Sequence, residues 1–220
     1  MVRVTRNGVW LTILVVGCCS SAFAQHGVQE FTSSGTFQVP AGVSTLRVDA
    51  YGAGGGGGGL NLSSNFNGGG GGGAAYAGGV ITVSPGEVLA VVIGSGGKGG
   101  LAGNPAGAGS AGGATKILNS TKVVLFSANG GKGGQGGTTT SGGSGGAGGA
   151  IGTFGSIRHA GQNGASNDAG GVGYVPVGFN VGFIFLGSGP VFGNGGTGGI
   201  PPFNGGNGSG GFPGYILISW

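Results

Sequence analysis

The chain is nearly empty of the side chains that enzymes use. Of its 220 residues only 4 are acidic, 8 are Lys or Arg and 2 are His, and charged residues make up 5% of the whole. Beyond residue 24, the acid, base and metal-binding side chains other than lysine and arginine reduce to His26, His159, Glu30, Asp49, Glu87 and Asp168. Two distant histidines and four isolated carboxylates match no metal-ligand spacing. His159 and Asp168 lie near each other in sequence, too little for a catalytic assignment. Residues 142–146, GGSGG, fit the nucleophile pattern G-x-S-x-G, but no strand precedes them and no helix follows. Neither Lys98 nor Lys132 is followed by Ser or Thr, so the glycine stretches make no phosphate loop. A glycine-rich calcium nonapeptide would need aspartates that are missing. The expectation is a protein without catalysis, cofactor or metal.

Cysteine is just as scarce. Cys18 and Cys19 are the only two, and both fall in a leader-like start. Arg3 and Arg6 precede an apolar run at 9–16, and Ala22-Phe23-Ala24 stands before Gln25, which reads as a secretory signal peptide over 1–24 and an exported domain over 25–220. The apolar run is too short to span a bilayer, and no later segment is long and apolar enough. Val15-Val16-Gly17-Cys18 also fits a lipoprotein site, the second reading, in which Cys18 is acylated. Cleavage after Ala24 removes both cysteines, leaving an exported chain without disulfides. It also removes Arg3 and Arg6, leaving six basic residues against four acidic and a net charge of +2. Lys98, Lys116, Lys122, Lys132, Arg47 and Arg158 are scattered, so there is no nucleic-acid footprint. Asn61, Asn119 and Asn207 begin N-x-Ser/Thr triplets, which chance explains in a chain this rich in Asn and Ser.

What the chain does have is glycine, 65 of 220 residues, in a register of three. Residues 130–149 read GGKGGQGGTTTSGGSGGAGG, with Lys132, Gln135 and Thr138 and then Ser141, Ser144, Ala147 and Ala150 in the third place. The register recurs through Gly94, Gly97 and Gly100, again from Gly161, and again from Gly193 to Gly211, while 54–59 and 68–73 are glycine throughout. Neither an α-helix nor a strand repeats in threes, whereas the left-handed polyproline II helix has three residues per turn. Such a helix makes no internal hydrogen bonds, so its amides pair with neighbouring chains, and only glycine lets backbones approach that closely. The pure runs are therefore predicted to be interior and the Gly-Gly-x runs to form a rim. A flexible linker shares the composition but needs no triplet register. Collagen needs abundant proline, and there are only 8 prolines here.

Between the runs lie apolar segments that read as strands. Residues 28–39 predict a strand pair or one long strand, and 44–51 alternate with Leu46, Val48 and Ala50 on one face and a wet face opposite. Ser84-Pro85-Gly86-Glu87 between 79–83 and 88–93 predicts a β-hairpin whose second arm, apolar on both faces, is a central strand covered on one side by another sheet or by the glycine bundle. KVVLF at 122–126 and YILISW at 215–220 are further strands, the last with Ile216, Ile218 and Trp220 on one face and the N-terminal strand beside it. Asn precedes Gly at Asn67, Asn129, Asn163, Asn194, Asn204 and Asn207, which predicts corners between antiparallel glycine helices. No segment has a 3.6-residue apolar period. The fold class is all-β, a β-sandwich of about six to eight strands with an inserted bundle of polyglycine II helices.

The opening FTSSGTFQVPAGVSTLRVDAYGAGGGGGG, the middle GGVITVSPGEVLAVVIGSGGKGG and the ending GGNGSGGFPGYILISW resemble the bacterial and phage glycine-rich domain of secreted surface proteins and tail-fibre adhesins. More loosely, they are similar to the glycine-rich ectodomain of anaplastic-lymphoma-kinase-type receptors. The resemblance implies a β-sandwich with hexagonally packed glycine helices, no catalysis, and receptor contact through loops at the bundle tip. Aromatics in the breaks supply candidates: Phe66, Phe154, Tyr174, Phe179 and Phe203 are predicted to share an exposed tip, with Arg158 and His159 beside Phe154. For 172–192 a strand hairpin with Ile184 and Leu186 in the core is the competing reading. The expected role is a structural or adhesion module meeting a cell-surface or envelope receptor, protein or glycan. Ice binding on a flat bundle face is the alternative, although the outward series Lys132, Gln135, Thr138 does not repeat one small residue.

Overall fold

The computed structural model describes residues 26–166, 192–200 and 206–220, and holds no α-helix among them. Nine strands form two antiparallel sheets: β1 (Val28–Phe31), β2 (Gly35–Gln38), β3 (Thr45–Tyr51), β4 (Tyr76–Thr82), β5 (Val88–Val92), β6 (Thr115–Leu118), β7 (Val124–Ala128), β8 (Ile157–His159) and β9 (Tyr215–Ser219). The first sheet has the order β1-β9-β3-β4-β8 and the second β2-β5-β6-β7. Period-two alternation turns Leu46, Val48, Ile216 and Ile218 of one sheet onto Phe37, Leu89, Val91, Ile117 and Phe126 of the other, all buried. This is the sandwich core. The last strand lies in mid-sheet with the first beside it, Val28 opposite Ser219 and Phe31 opposite Ile216, as the sequence predicts.

Two expectations need correction. β1 and β2 are neither a pair nor one strand, because they join different sheets. Pro85 and Gly86 do make a turn, with Gly86 at φ 80 and the Glu87 amide donating to the Ser84 carbonyl at 3.0 Å. That turn carries the chain from β4 in one sheet to β5 in the other, so it is a corner and not a hairpin. β5 is central and covered on one side as expected, with Leu89 and Val91 buried against the other sheet while Val88 and Val92 face outward.

The glycine runs leave the strand ends and pack beside one another. The 54–59 run donates Gly54 and Gly57 amides to the carbonyls of Phe212 and Ser209, Gly55 and Gly58 to Gly72 and Gly69, and Gly56 and Gly59 to Ser110 and Gly107, all at 2.8–2.9 Å. Its carbonyls accept from Gly97 and Gly100, from Gly134 and Gly137, and from Gly196 and Gly199. Every third residue thus points at the same neighbour, and six runs surround it in a hexagon. The 68–73 run is likewise enclosed by the runs 54–59, 130–137, 142–149, 160–165 and 193–199. Both pure runs are buried along their whole length, while Lys132, Gln135, Thr138, Ser141, Ser144 and Ala147 on the rim are exposed. The division of interior and rim expected from the triplets holds.

Among the Asn-Gly pairs, Asn163 and Asn207 play another part than corners. Reversals at the far end are made by 61–67, 101–105 and 138–141, of which only the first holds such a pair, Asn67-Gly68; Asn204 lies outside the described residues. Asn163 and Asn207 sit within runs, where their Oδ1 atoms accept the rim amides of Gly148 (2.9 Å) and Ala102 (2.8 Å) on adjacent runs. Ser110 and Ser209 do the same for Lys98 and Thr197 at 2.7 Å. A short polar side chain replaces the neighbour that a rim helix lacks.

A Cβ built on Gly56 runs into the Lys98 carbonyl, and one on Gly71 into the Gly55 carbonyl, both well inside 3.0 Å. Gly56→Val or Gly71→Val is expected to cost at least ~3 kcal/mol or abolish folding, and Gln135→Val to stay within about 0.5 kcal/mol, read by circular dichroism melting. Equal behaviour of the three would contradict the interior and rim assignment. Ile218→Ala, at 0% exposure in the central strand, should cost about 2–5 kcal/mol in denaturant titration.

Candidate partner-binding end

The first six runs alternate, one going out from the sandwich and the next returning, so the breaks between them fall alternately at the two ends of the bundle. The break 61–67 joins an outgoing to a returning run, as do 101–105 and 138–141, and these loops define the distal end. Asn61 holds them. Its side chain is 1% exposed; Oδ1 accepts the amides of Ser63 (3.0 Å) and Ser64 (3.2 Å) and the Ser64 hydroxyl, while Nδ2 donates to the Gly137 carbonyl at 3.4 Å. Ser64 Oγ reaches the Thr138 carbonyl at 2.8 Å, and the Leu62 amide donates to the Gly103 carbonyl at 3.0 Å. Three loops are tied into one cap, and Asn61 and Asn207 are occupied by structural bonds, in keeping with the reading of their N-x-Ser/Thr triplets as chance.

Of the predicted aromatic tip, Phe66 is on this cap and 38% exposed. Phe154 is not. It packs partly buried against the sandwich core, and Arg158 and His159 lie in β8, so that break is at the opposite end of the bundle. The reason is parity: the 142–149 run is a returning one, so the break after it must be at the sandwich. Tyr174, Phe179 and Phe203 lie outside the described residues, as does the hairpin proposed around Ile184 and Leu186. Two apolar residues of the cap escaped sequence reasoning, Leu62 at 59% and Leu101 at 70% exposure. Their signal was present, since both are bulky aliphatics in breaks of an otherwise glycine and Asn/Ser/Thr-rich stretch.

The titratable side chains gather instead where bundle meets sandwich. Tyr215, Tyr51, Tyr76 and His159 stand in one cross-strand row on the outer face of the five-stranded sheet. Tyr51 and Tyr76 rings are 5.0 Å apart, Tyr76 stacks on His159 at 6.2 Å, and Phe192 stacks on Tyr215 at 4.5 Å. In the next row Asp49, expected on a wet face, is 2% exposed; it accepts the Tyr76 hydroxyl on Oδ1 and Arg47 Nε on Oδ2 at 3.2 Å. Gly78 opposite Asp49 has no side chain, and a Cβ there would meet the Tyr76 hydroxyl and Asp49 Oδ1. Burial pushes the Tyr215 phenol well above its ordinary range, with Glu30, to which it also hydrogen-bonds, and Asp49 adding to the shift. Among the described residues no group of three or more His, Cys, Asp or Glu could hold a metal, and every buried side-chain polar atom has a partner. These groups glue the bundle's base to the sheet.

An all-β sandwich whose strand ends extend into hydrogen-bonded threefold glycine helices defines the class of glycine-helix proteins. The chain belongs to the glycine-rich domain family, whose family model matches residues 32–220. None of the curated proteins compared with it matches.

A phenol that ionises less readily in the folded state contributes stability that is whole below the ordinary value of 10.0 and is lost as pH rises beyond it. Wild-type stability should therefore fall progressively as pH rises above about 10. Tyr215→Phe removes this titration at the cost of the Glu30 hydrogen bond, so its curve should be lower at neutral pH and flatter above pH ~10. Parallel curves would remove Tyr215 as the titrating group.

Proposed function

We propose that the chain is an exported, non-catalytic structural or adhesion module that presents the distal loops of its glycine bundle to a cell-surface or envelope receptor, protein or glycan. The observation that carries this reading is polarity. Gly27 and Trp220 exchange backbone bonds at 3.0 Å at the end of the sandwich remote from the bundle, while the capped loops stand at the other. A rod of mutually bonded helices between them keeps the loops at a fixed distance and orientation. The leader-like residues 1–24 support export, with acylation at Cys18 as the variant that would tether the sandwich end. Likeness to bacterial and phage surface proteins and tail-fibre adhesins points the same way.

One feature suits the ice-binding alternative. The runs 106–113, 130–137 and 142–149 are bonded side by side in one flat row. The middle of that row carries Lys132 and Gln135, long side chains that break up a small-residue lattice, so no thermal hysteresis is expected.

Phe66→Ala should keep stability within about 0.5 kcal/mol and reduce attachment to cells or envelope fractions, while Phe154→Ala should lose about 1–3 kcal/mol without a specific attachment defect. Full attachment by a folded Phe66→Ala with Leu62→Ala double variant would refute the distal end as the contact.

A further inference from the structure

Where it is described, the distal cap is uncharged and presents three bulky apolar side chains among exposed Ser, Thr and Asn, and the described charges nearest to it have one sign. Leu62, Phe66 and Leu101 are exposed on 61–67 and 101–105, and neither these loops nor 138–141 contain a charged residue. Along the described shaft the charged side chains are two exposed lysines, Lys98 and Lys132. Glu30, Asp49 and Glu87 all lie on the sandwich. With a rise of ~3.1 Å per residue, Lys98 stands about 9 Å below Leu101, and Lys132 roughly 19 Å below Thr138. Asn61 and Ser64 satisfy part of the cap's backbone internally, and the exposed Ser63, Asn65, Asn104, Thr139 and Thr140 suit the polar headgroup level rather than the hydrocarbon.

We infer that the distal end inserts its leucines and Phe66 into the interfacial region of an anionic lipid bilayer, with Lys98 and Lys132 as a cationic collar at and above the phosphates. The dimensions agree. Interfacial apolar groups are buried about 5–10 Å into the headgroup and acyl boundary, which brings Lys98 level with the phosphates. Lys132 then remains near a screening length of about 8–10 Å from them. A bilayer fits better than a protein pocket because three bulky side chains on two separate loops, interspersed with uncharged Ser, Thr and Asn, suit an interfacial layer that mixes apolar and polar groups and has no shape to match. This rests on the reading of the distal end as the contacting end, and it names what is contacted.

The test is flotation of the secreted chain with vesicles of phosphatidylcholine alone and of phosphatidylcholine with one quarter phosphatidylglycerol. Wild type should float with the anionic vesicles, and more weakly with the neutral ones. Leu62→Ser with Leu101→Ser should lower partition at least about tenfold on both, with an unchanged melting curve because both residues are exposed. Lys98→Gln with Lys132→Gln should abolish the preference for phosphatidylglycerol and its salt sensitivity while leaving the weaker neutral binding. No flotation of wild type, or flotation unaffected by the leucine changes, overturns the proposal. If wild type then still attaches to cells and the leucine variant does not, the contacting end survives and its occupant is an apolar protein groove. Loss of neither would overturn both.

Discussion

Everything in this molecule depends on backbone amides bonding between chains at a spacing that no Cβ allows. In an α-helix the backbone satisfies itself, and in a sheet each strand needs neighbours on two sides only. A threefold helix needs them all round, so one isolated glycine run would be an exposed, entropically costly chain. The solution is collective: 54–59 is enclosed because six other runs pack round it, and five of those adjoin a described strand at the base. The sandwich therefore does more than supply a hydrophobic core. It delivers the run ends at the spacing and direction from which the hexagon can close.

The junction between the two parts has its own chemistry. Tyr51, Tyr76 and Tyr215 are each the residue at which a strand meets a glycine segment, and register sets them side by side. Aromatic rings cover the outer face of the sheet there, and the buried Asp49 takes hydrogen bonds from Tyr76 and Arg47. Such a network fixes where the flexible residue type begins, so the bundle cannot pivot as a whole about its glycines.

Much of this is legible in the sequence because a period of three has few physical meanings. The interior position of the pure runs, the outward series Lys132, Gln135 and Thr138, and the pairing of first and last strands are all consequences of local pattern. Partners across the fold are harder to see. Pro85-Gly86 specifies a turn, yet turn chemistry is the same whether the next strand returns to its own sheet or crosses to the other. Asn163 and Asn207 suggest backbone freedom, whereas their use is to accept an amide from the next run. Phe154 belongs to the sandwich end and not the tip, because composition does not reveal the number of reversals before it. β6 and β8 are four and three residues long and carry Lys116 and Arg158, too short and too mixed to signal strands. Leu62 and Leu101 stand out in the breaks as bulky aliphatics, but that residue type usually lies inside, so the pattern alone points as much to core as to an exposed tip.

The triplet register also sets how the chain can change in length. One residue added within a run would rotate everything beyond it by a third of a turn, turning a side chain such as Gln135 inward against Gly69 and breaking the bonds of every neighbour. Insertions and deletions in the runs are thus compatible with the bundle only in steps of three, and only if the partner runs grow or shrink together. The loops 61–67, 101–105 and 138–141 carry no such phase. The shaft is quantised while its end is free to vary, so lineages of this architecture should differ from one another by whole turns of shaft and by arbitrary lengths of loop.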